Sequence, residues 1–380
     1  MDTCDPTGAL NLRDELRAIK ADAALGISAG RAAAIDNTWS IWEDFCISLH
    51  CDPYLTTLDD PIPLLMVFAN RYRMGTVAPS GAPVRSRTVE GALRAVGQTF
   101  ASLGQPDPRL LPSGKLDLRL NRQLSAYAKS DPPPHRVKPI PLQVISHAVA
   151  QGYRANTPYS TTIADMLLLG FFFLLRPGEY AHTSNPDSSP FRLCDTHLVV
   201  NTRRLDPFTC SEADLNAVTH VALEFTTQKN GVRGELVGLG RSGHPLWCPV
   251  LALVNRIKHL RLHRAPPTTP LYSYYTGATW AHIDTATLTK HLRWAATAVG
   301  AAVGVTATDI SIRSLRSSGA MALLCADVDT DRIRLLGRWR SDEMLRYLTV
   351  QAFPILSPLA AQMVRHGWFT LLPNNRLIRG

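Results

Sequence analysis

None of the seven cysteines in this 380-residue chain stands in a CxxC pair, and no Cys/His spacing of a metal site appears anywhere in it. No metal and no cofactor are therefore expected. The cysteine count is odd, the chain is long, and Met1-Asp2-Thr3-Cys4-Asp5 is not a basic-then-apolar start. A reduced, intracellular setting fits that usage best. Long apolar runs are also missing. The longest, Met166 to Leu175, is interrupted only by Gly170, and it falls well short of the roughly 20 residues a membrane-spanning helix needs. A buried core helix is expected there instead. Internal repeats and long low-complexity segments are absent too. Acidic residues are in deficit: 31 Asp and Glu against 40 Lys and Arg leave a formal charge of +9. Nucleic acid is the first partner such an excess points to, an anionic membrane surface the second.

What is present is a normal globular complement, 45% hydrophobic residues in a length that suits two domains. The clearest seam is Asp131-Pro132-Pro133-Pro134-His135-Arg136-Val137-Lys138-Pro139-Ile140-Pro141. Prolines at this density exclude helix and favour an extended linker. The expected division is a helical domain over 1–130, a linker over 131–141 and a second domain over 142–380.

Before the seam, Ile35, Trp39, Trp42, Cys46 and Leu49 fall on one helical face, and so do Val89, Leu93, Val96, Phe100 and Leu103. Pro63 to Tyr72 and the set Leu120, Leu124, Tyr127 mark two further helices. Arg85, Arg87, Arg94, Arg119, Arg122 and Lys129 lie outside these apolar faces; Arg85, Arg87, Arg119 and Arg122 are candidate DNA contacts, against the bland alternative of a solvated surface.

After the seam, 142–175 predicts two helices around Pro158. Strands follow over 193–201, 221–227 and 232–239, the last two joined by Asn230-Gly231, a strong hairpin signal. Helix resumes over 249–263, again through Leu288, Leu292, Ala295 and Val299, and onward to about Val364. The fold class is thus mainly α with a small antiparallel β-sheet.

Arg176 ends the apolar helix, and Pro177-Gly178 after it turns the chain, so that Glu179 can orient the guanidinium; the alternative is an arginine that interacts with the helix C-terminus. Lys229 sits at the hairpin tip, where it can meet a phosphate or protonate a leaving oxygen, although lysine is common at exposed turns. Arg313 and Arg316, three apart, predict one shared helical face and an anion between them, against the alternative of a basic surface face. The small run Ser317-Ser318-Gly319-Ala320 beside them allows a backbone, strand or ligand to come close. Tyr347 is on a short segment, Ser341 to Leu348, with Ser341 as N-cap and Asp342 and Glu343 in its first turn. From spacing alone Tyr347 is either a core aromatic or a nucleophile.

The ordered set Arg176-Pro177-Gly178-Glu179, Lys229 at a hairpin, Arg313-x-x-Arg316, Leu336-Gly337, and Tyr347 ten residues beyond that glycine resembles the tyrosine recombinase (lambda integrase-like) family over roughly 142–352. The wording Gly337-Arg338-Trp339-Arg340-Ser341-Asp342 with Arg346-Tyr347-Leu348 is closer to recombinases of eukaryotic Crypton-like and tyrosine-recombinase mobile elements. The resemblance implies a helical core-binding (SAM-like) N-terminal domain and an α+β catalytic domain that together clamp double-stranded DNA. It also implies a homotetramer on synapsed DNA, and a nuclear location if the cell is eukaryotic. It makes Tyr347 the nucleophile that forms a 3′-phosphotyrosyl link, Arg176 and Arg316 the phosphate clamp, Lys229 the acid for the leaving 5′-oxygen, and Glu179 the support of Arg176.

Two positions depart from the family pattern: arginine stands at Arg313 where histidine is usual, and at Arg338 where His or Trp is usual. Trp339, one residue on, is a candidate for the packing role. An arginine does not deprotonate at neutral pH, so Arg313 can bind phosphate but not act as a base. The proton of Tyr347 is then left to water, Asp342 or a DNA oxygen, or nearby cations lower the phenol's pKa. The alternatives are a catalytically silent, domesticated DNA-binding protein and a type IB-like topoisomerase. The apolar tail, 353–380, packs on its own domain or on a neighbouring protomer.

Overall fold

The computed structural model describes residues 22, 26–133, 137–185, 188–226 and 234–339. Lys229, the Asn230-Gly231 turn, Arg340, Tyr347 with its segment 341–348, and the tail lie outside them. The chain divides into two compact units, Met1–His135 and Arg136–Gly380.

Four helices build the described part of the first unit: α1 (Ala29–Ser48), α2 (Ile62–Arg73), α3 (Ser86–Ser102) and α4 (Leu118–Ser130). Ser28 caps α1 by accepting the Arg31 N–H, and Asp117 caps α4 by accepting the Arg119 N–H. Their apolar faces meet in one core, where Trp42, Phe45, Phe68, Leu93, Val96 and Phe100 are buried. The Trp42 and Phe68 rings meet edge to face at 5.2 Å, a favoured aromatic geometry. Leu103 departs from the expectation: it is the residue after α3, beyond the last turn, and it is exposed.

The second unit is organised around α6 (Pro158–Phe172), preceded by α5 (Leu142–Ala155). Thr157 and Ser160 form a reciprocal capping box at its start. Every residue from Thr162 to Phe171 is buried. A helix apolar on all sides belongs in the middle of a core, and each fully buried Leu there contributes about 1.5–3 kcal/mol.

Beyond α6 come a single-turn α7 (Pro177–Tyr180), a 3-10 turn over Leu193–Asp195, and strands β1 (Thr196–Val200), β2 (Arg203–Leu205), β3 (His220–Phe225) and β4 (Glu235–Gly240). They form one antiparallel sheet in the order β2-β1-β3-β4, with Leu198 opposite Val221 and Leu223 opposite Val237. Along β3, Val221, Leu223 and Phe225 are buried and the residues between them are not, the period-two signature of a half-covered sheet.

The first three residues of the expected 193–201 strand are the 3-10 turn, and the edge strand β2 follows a turn in which Asn201 takes φ 55°. The short α8 (Glu212–Ala217) and the two-stranded β5 (Ser273–Tyr275)–β6 (Trp280–His282) ribbon complete the unexpected elements. The remaining helices are α9 (Pro249–Leu262), α10 (Thr285–Val299), α11 (Ser314–Cys325) and α12 (Thr330–Gly337). Among the described residues, no helix is long and apolar enough to cross a membrane.

Candidate functional site

The site forms where α6 stops. Phe173 follows its last residue, and Leu174, fully buried, turns the chain in the left-handed region at φ 49°. That conformation costs a leucine on the order of 1–3 kcal/mol, so the surroundings must hold it. Helix α11 does so from one side. A Cβ on Gly319 would overlap the Leu174 side chain and the Phe171 carbonyl oxygen, so only glycine lets the two helices approach this closely. The small run beside Arg316 therefore admits backbone.

Two arginines take the carbonyls exposed by this turn. Arg316 Nη1 donates to the Leu174 carbonyl at 2.6 Å, and its Nη2 donates to the Gly337 carbonyl. Arg338 Nη1 donates to the Phe173 carbonyl at 3.2 Å, and Nη2 reaches the Leu174 carbonyl at 3.4 Å. Arginine at a helix C-terminus is the bland alternative weighed for Arg176, and it is Arg316 and Arg338 that adopt it. Both are buried, at 6% and 7% exposure. Burial lowers the Arg338 guanidinium to about 10, although Glu179 opposes the shift; the group remains cationic at neutral pH.

Arg176 is placed differently. It caps α7, and its side chain is 34% exposed. Glu179 Oε2 accepts the Arg176 backbone N–H at 2.7 Å, and Oε1 accepts from Arg176 Nη1 at 3.1 Å. Glu179 Oε2 also accepts from Arg338 Nη2 at 3.1 Å. Three guanidinium groups thus gather at the end of α6, and a single carboxylate is shared by two of them. Tyr180, one residue on, packs its ring against Gly170 and donates its hydroxyl to the Ile312 carbonyl at 2.9 Å, which ties α7 to the segment that enters α11.

Arg313 and Arg316 do not share one environment. The helix begins at Ser314, so Arg313 is the cap residue outside it and exposed, while Arg316 points into the protein. The three-residue spacing therefore delivers one surface guanidinium and one interior one. Trp339 packs on Arg316, with the guanidinium carbon 4.3 Å from the ring centroid, a cation–π contact. The same ring lies so close to Gly337 that a Cβ there would overlap it. Two contributors had no visible signal: the Leu174 carbonyl, and Phe225, whose ring centroid lies 3.8 Å from the Arg338 guanidinium carbon. A buried Phe at the end of a strand looks like any other core residue.

In the first unit, Arg87 and Arg122 are exposed, and Arg85 donates to the Pro133 carbonyl at 3.4 Å. Arg119 is held by Asp60 and Asp117, and the Arg119 guanidinium keeps both carboxyls below their ordinary value. Among the described residues, no group of three or more His, Cys, Asp or Glu is placed to hold a metal ion.

No protein-family model matches the sequence, and no curated protein matches it either. Solved structures do. The Tn1549 transposon integrase in complex with circular intermediate DNA aligns at a TM-score of 0.51 and 13% identity, over 92% of this chain and 98% of that one. The chain has the fold of that integrase. A lambda integrase dimer bound to a COC′ core site aligns at 0.46 and 12% identity over 88% and 94% of the two chains, and XerA recombinase at 0.37 and 12% over 87% and 98%. The structural neighbours are thus tyrosine recombinases and integrases, at low sequence identity.

Proposed function

We propose that this chain is a site-specific recombinase that cleaves and rejoins duplex DNA through a 3′-phosphotyrosyl intermediate on Tyr347. The observation that carries the proposal is the gathering of Arg176, Arg316 and Arg338 around the end of α6, with Glu179 shared between two of them, in the fold of an integrase.

In this mechanism Tyr347 Oη attacks the scissile phosphorus and the bond from phosphorus to the 5′-oxygen breaks. Lys229 delivers a proton to that oxygen. The phosphodiester energy is kept in the phosphotyrosyl bond, and a 5′-hydroxyl from another strand reverses the step. Arg176, a third exposed, stabilises the extra negative charge of the pentacoordinate transition state, and Arg316 joins it by exchanging its Leu174 or Gly337 carbonyl for the phosphate. Arg313, exposed on the surface, adds a phosphate contact. The phenol proton leaves to water, to Asp342 or to a DNA oxygen. Binding falls steeply with salt, because Lys and Arg displace counterions. The wording Gly337-Arg338-Trp339 with Arg346-Tyr347-Leu348 supports a source among eukaryotic mobile elements, and a tetramer on synapsed DNA is the assembly this chemistry requires for strand exchange.

A second reading has its own observation. Arginine occupies both positions where the family places histidine, so neither supplies a base, and a silent DNA-binding descendant would look the same. A nicked suicide duplex carrying the ends of the chain's own element separates the two. A covalent adduct that vanishes in Tyr347→Phe is expected. Tight, salt-dependent binding with no adduct would favour the silent binder, and plasmid relaxation without strand exchange a type IB-like topoisomerase.

A further inference from the structure

We propose that Arg338 is a positioning residue: it fixes Glu179, and through Glu179 it aims the Arg176 guanidinium. This inference rests on the recombinase reading of the same site.

Arg338 has little left to offer a phosphate. Its side chain is 3% exposed. Nη1 is spent on the Phe173 and Leu336 carbonyls, and Nη2 on the Leu174 carbonyl and Glu179 Oε2. One face of the guanidinium is covered by the Phe225 ring. Its Nε is buried with no partner among the described residues. A donor left unsatisfied in the interior calls for an explanation. The explanation here is that the fork of the guanidinium is held in register with Glu179, the backbone carbonyls and Phe225, at the expense of Nε.

Glu179 is where this placement has its effect. Oε2 is shared between the Arg176 backbone N–H and Arg338 Nη2, and Oε1 is left for Arg176 Nη1. With Oε2 anchored on a buried cation, the carboxylate plane cannot swing, so the Arg176 guanidinium has one orientation. Arg338 also takes part of the Glu179 charge, leaving Arg176, a third exposed, more of its own for an incoming anion. Phe225 extends the link. It is the last residue of β3, it packs edge to face on Phe191 at 4.6 Å, and Lys229 follows four residues later in the chain. Arg338 thus braces the end of β3, four residues before the proposed acid in the chain, and the carboxylate that steers the proposed clamp.

The test uses the full chain with Arg338→Met, Glu179→Gln and the double variant, on a nicked suicide duplex under single-turnover conditions. Arg338→Met is expected to slow adduct formation about 100-fold, the scale of a small misplacement of a reacting group, with DNA affinity unchanged. The double variant is expected to be no slower than Arg338→Met alone, because both changes break one chain of contacts. Arg338→Lys keeps the charge without the fork and guards against a Met variant that fails to fold; a slowdown smaller than that of Met is expected. Additive losses in the double variant would overturn the inference. So would a loss of DNA affinity with an unchanged rate at saturation, which is the mark of a direct phosphate contact. If the unaltered protein forms no tyrosine-dependent adduct, the recombinase reading fails, and the positioning role is still read by phenylglyoxal modification of Arg176, followed by mass spectrometry. Arg176 is expected to react more slowly in Arg338→Met and Arg338→Lys, where Glu179 belongs to Arg176 alone. An unchanged rate overturns it.

Discussion

The first unit and the end of α6 in the second use arginine in different ways. In the helical first unit the arginines answer carboxylates near the surface: Arg73 with Asp131, Arg94 with Glu90, Arg109 with Asp107, Arg119 with Asp60 and Asp117. In the second unit, at the end of α6, Arg316 and Arg338 go into the interior and bond backbone carbonyls, with one carboxylate beside them. Surface pairs cancel charge locally and contribute little stability. Interior arginines place their charge where water screens it poorly, so each contact they make weighs more. The difference teaches that the excess positive charge of the chain is not what marks the site; guanidinium groups bound to buried backbone carbonyls at one helix end are.

The comparison breaks most visibly at Arg316. Arg316→Met strands the Gly337 carbonyl and leaves the Leu174 carbonyl only its 3.4 Å contact with Arg338; about 3 kcal/mol is the expected cost, read as a lower urea midpoint, and an unchanged midpoint would mean these carbonyls find water instead. Gly319→Ala tests the close approach that shapes the same corner. The added methyl would overlap Leu174 and Phe171, and about 1–3 kcal/mol of overpacking cost is expected, measured by the same unfolding experiment.

A smaller effect distinguishes the interior of the second unit from its site. Burial pushes the Asp165 carboxyl up to about 7, while the nearby Arg256 charge opposes the shift. Tyr153 and Asn255 bond its Oδ1 at 2.7 and 3.3 Å. A carboxyl raised in the folded state contributes stability that is fully present below its ordinary value of 3.8 and lost as pH rises through about 7. Unfolding midpoints measured between these limits should fall with pH, and Asp165→Asn should flatten the slope. Last, Arg119→Ala in the first unit should leave the unfolding midpoint nearly unchanged, since Asp60 remains solvated and the buried Asp117 keeps the backbone N–H of residue 119 as its partner. A large drop would erase the contrast between the units.

The helices were legible because their apolar residues recur at helical spacing: Val89, Leu93, Val96 and Phe100 are all buried on α3, and Pro158 opens α6. The β3–β4 pairing was legible from Asn230-Gly231 between two β-rich runs. The ribbon β5–β6 was not, because three-residue strands are too short to show a period. At the site, the capping of Arg176 by Glu179 follows from their spacing and from Pro177. The split fates of Arg313 and Arg316 do not, because the first turn of α11 begins between them. The Glu179–Arg338 contact, at 3.1 Å, joins residues 159 apart in sequence, and no local pattern predicts such a pair.

The most direct test of the account is where a nucleotide becomes attached. A suicide duplex carrying the chain's own element ends, incubated with the protein, digested and mapped by mass spectrometry, should yield a 3′-phosphonucleotide on the peptide beginning at Tyr347, on the tyrosine itself. A nucleotide on any other residue, or an adduct that survives Tyr347→Phe, would contradict it.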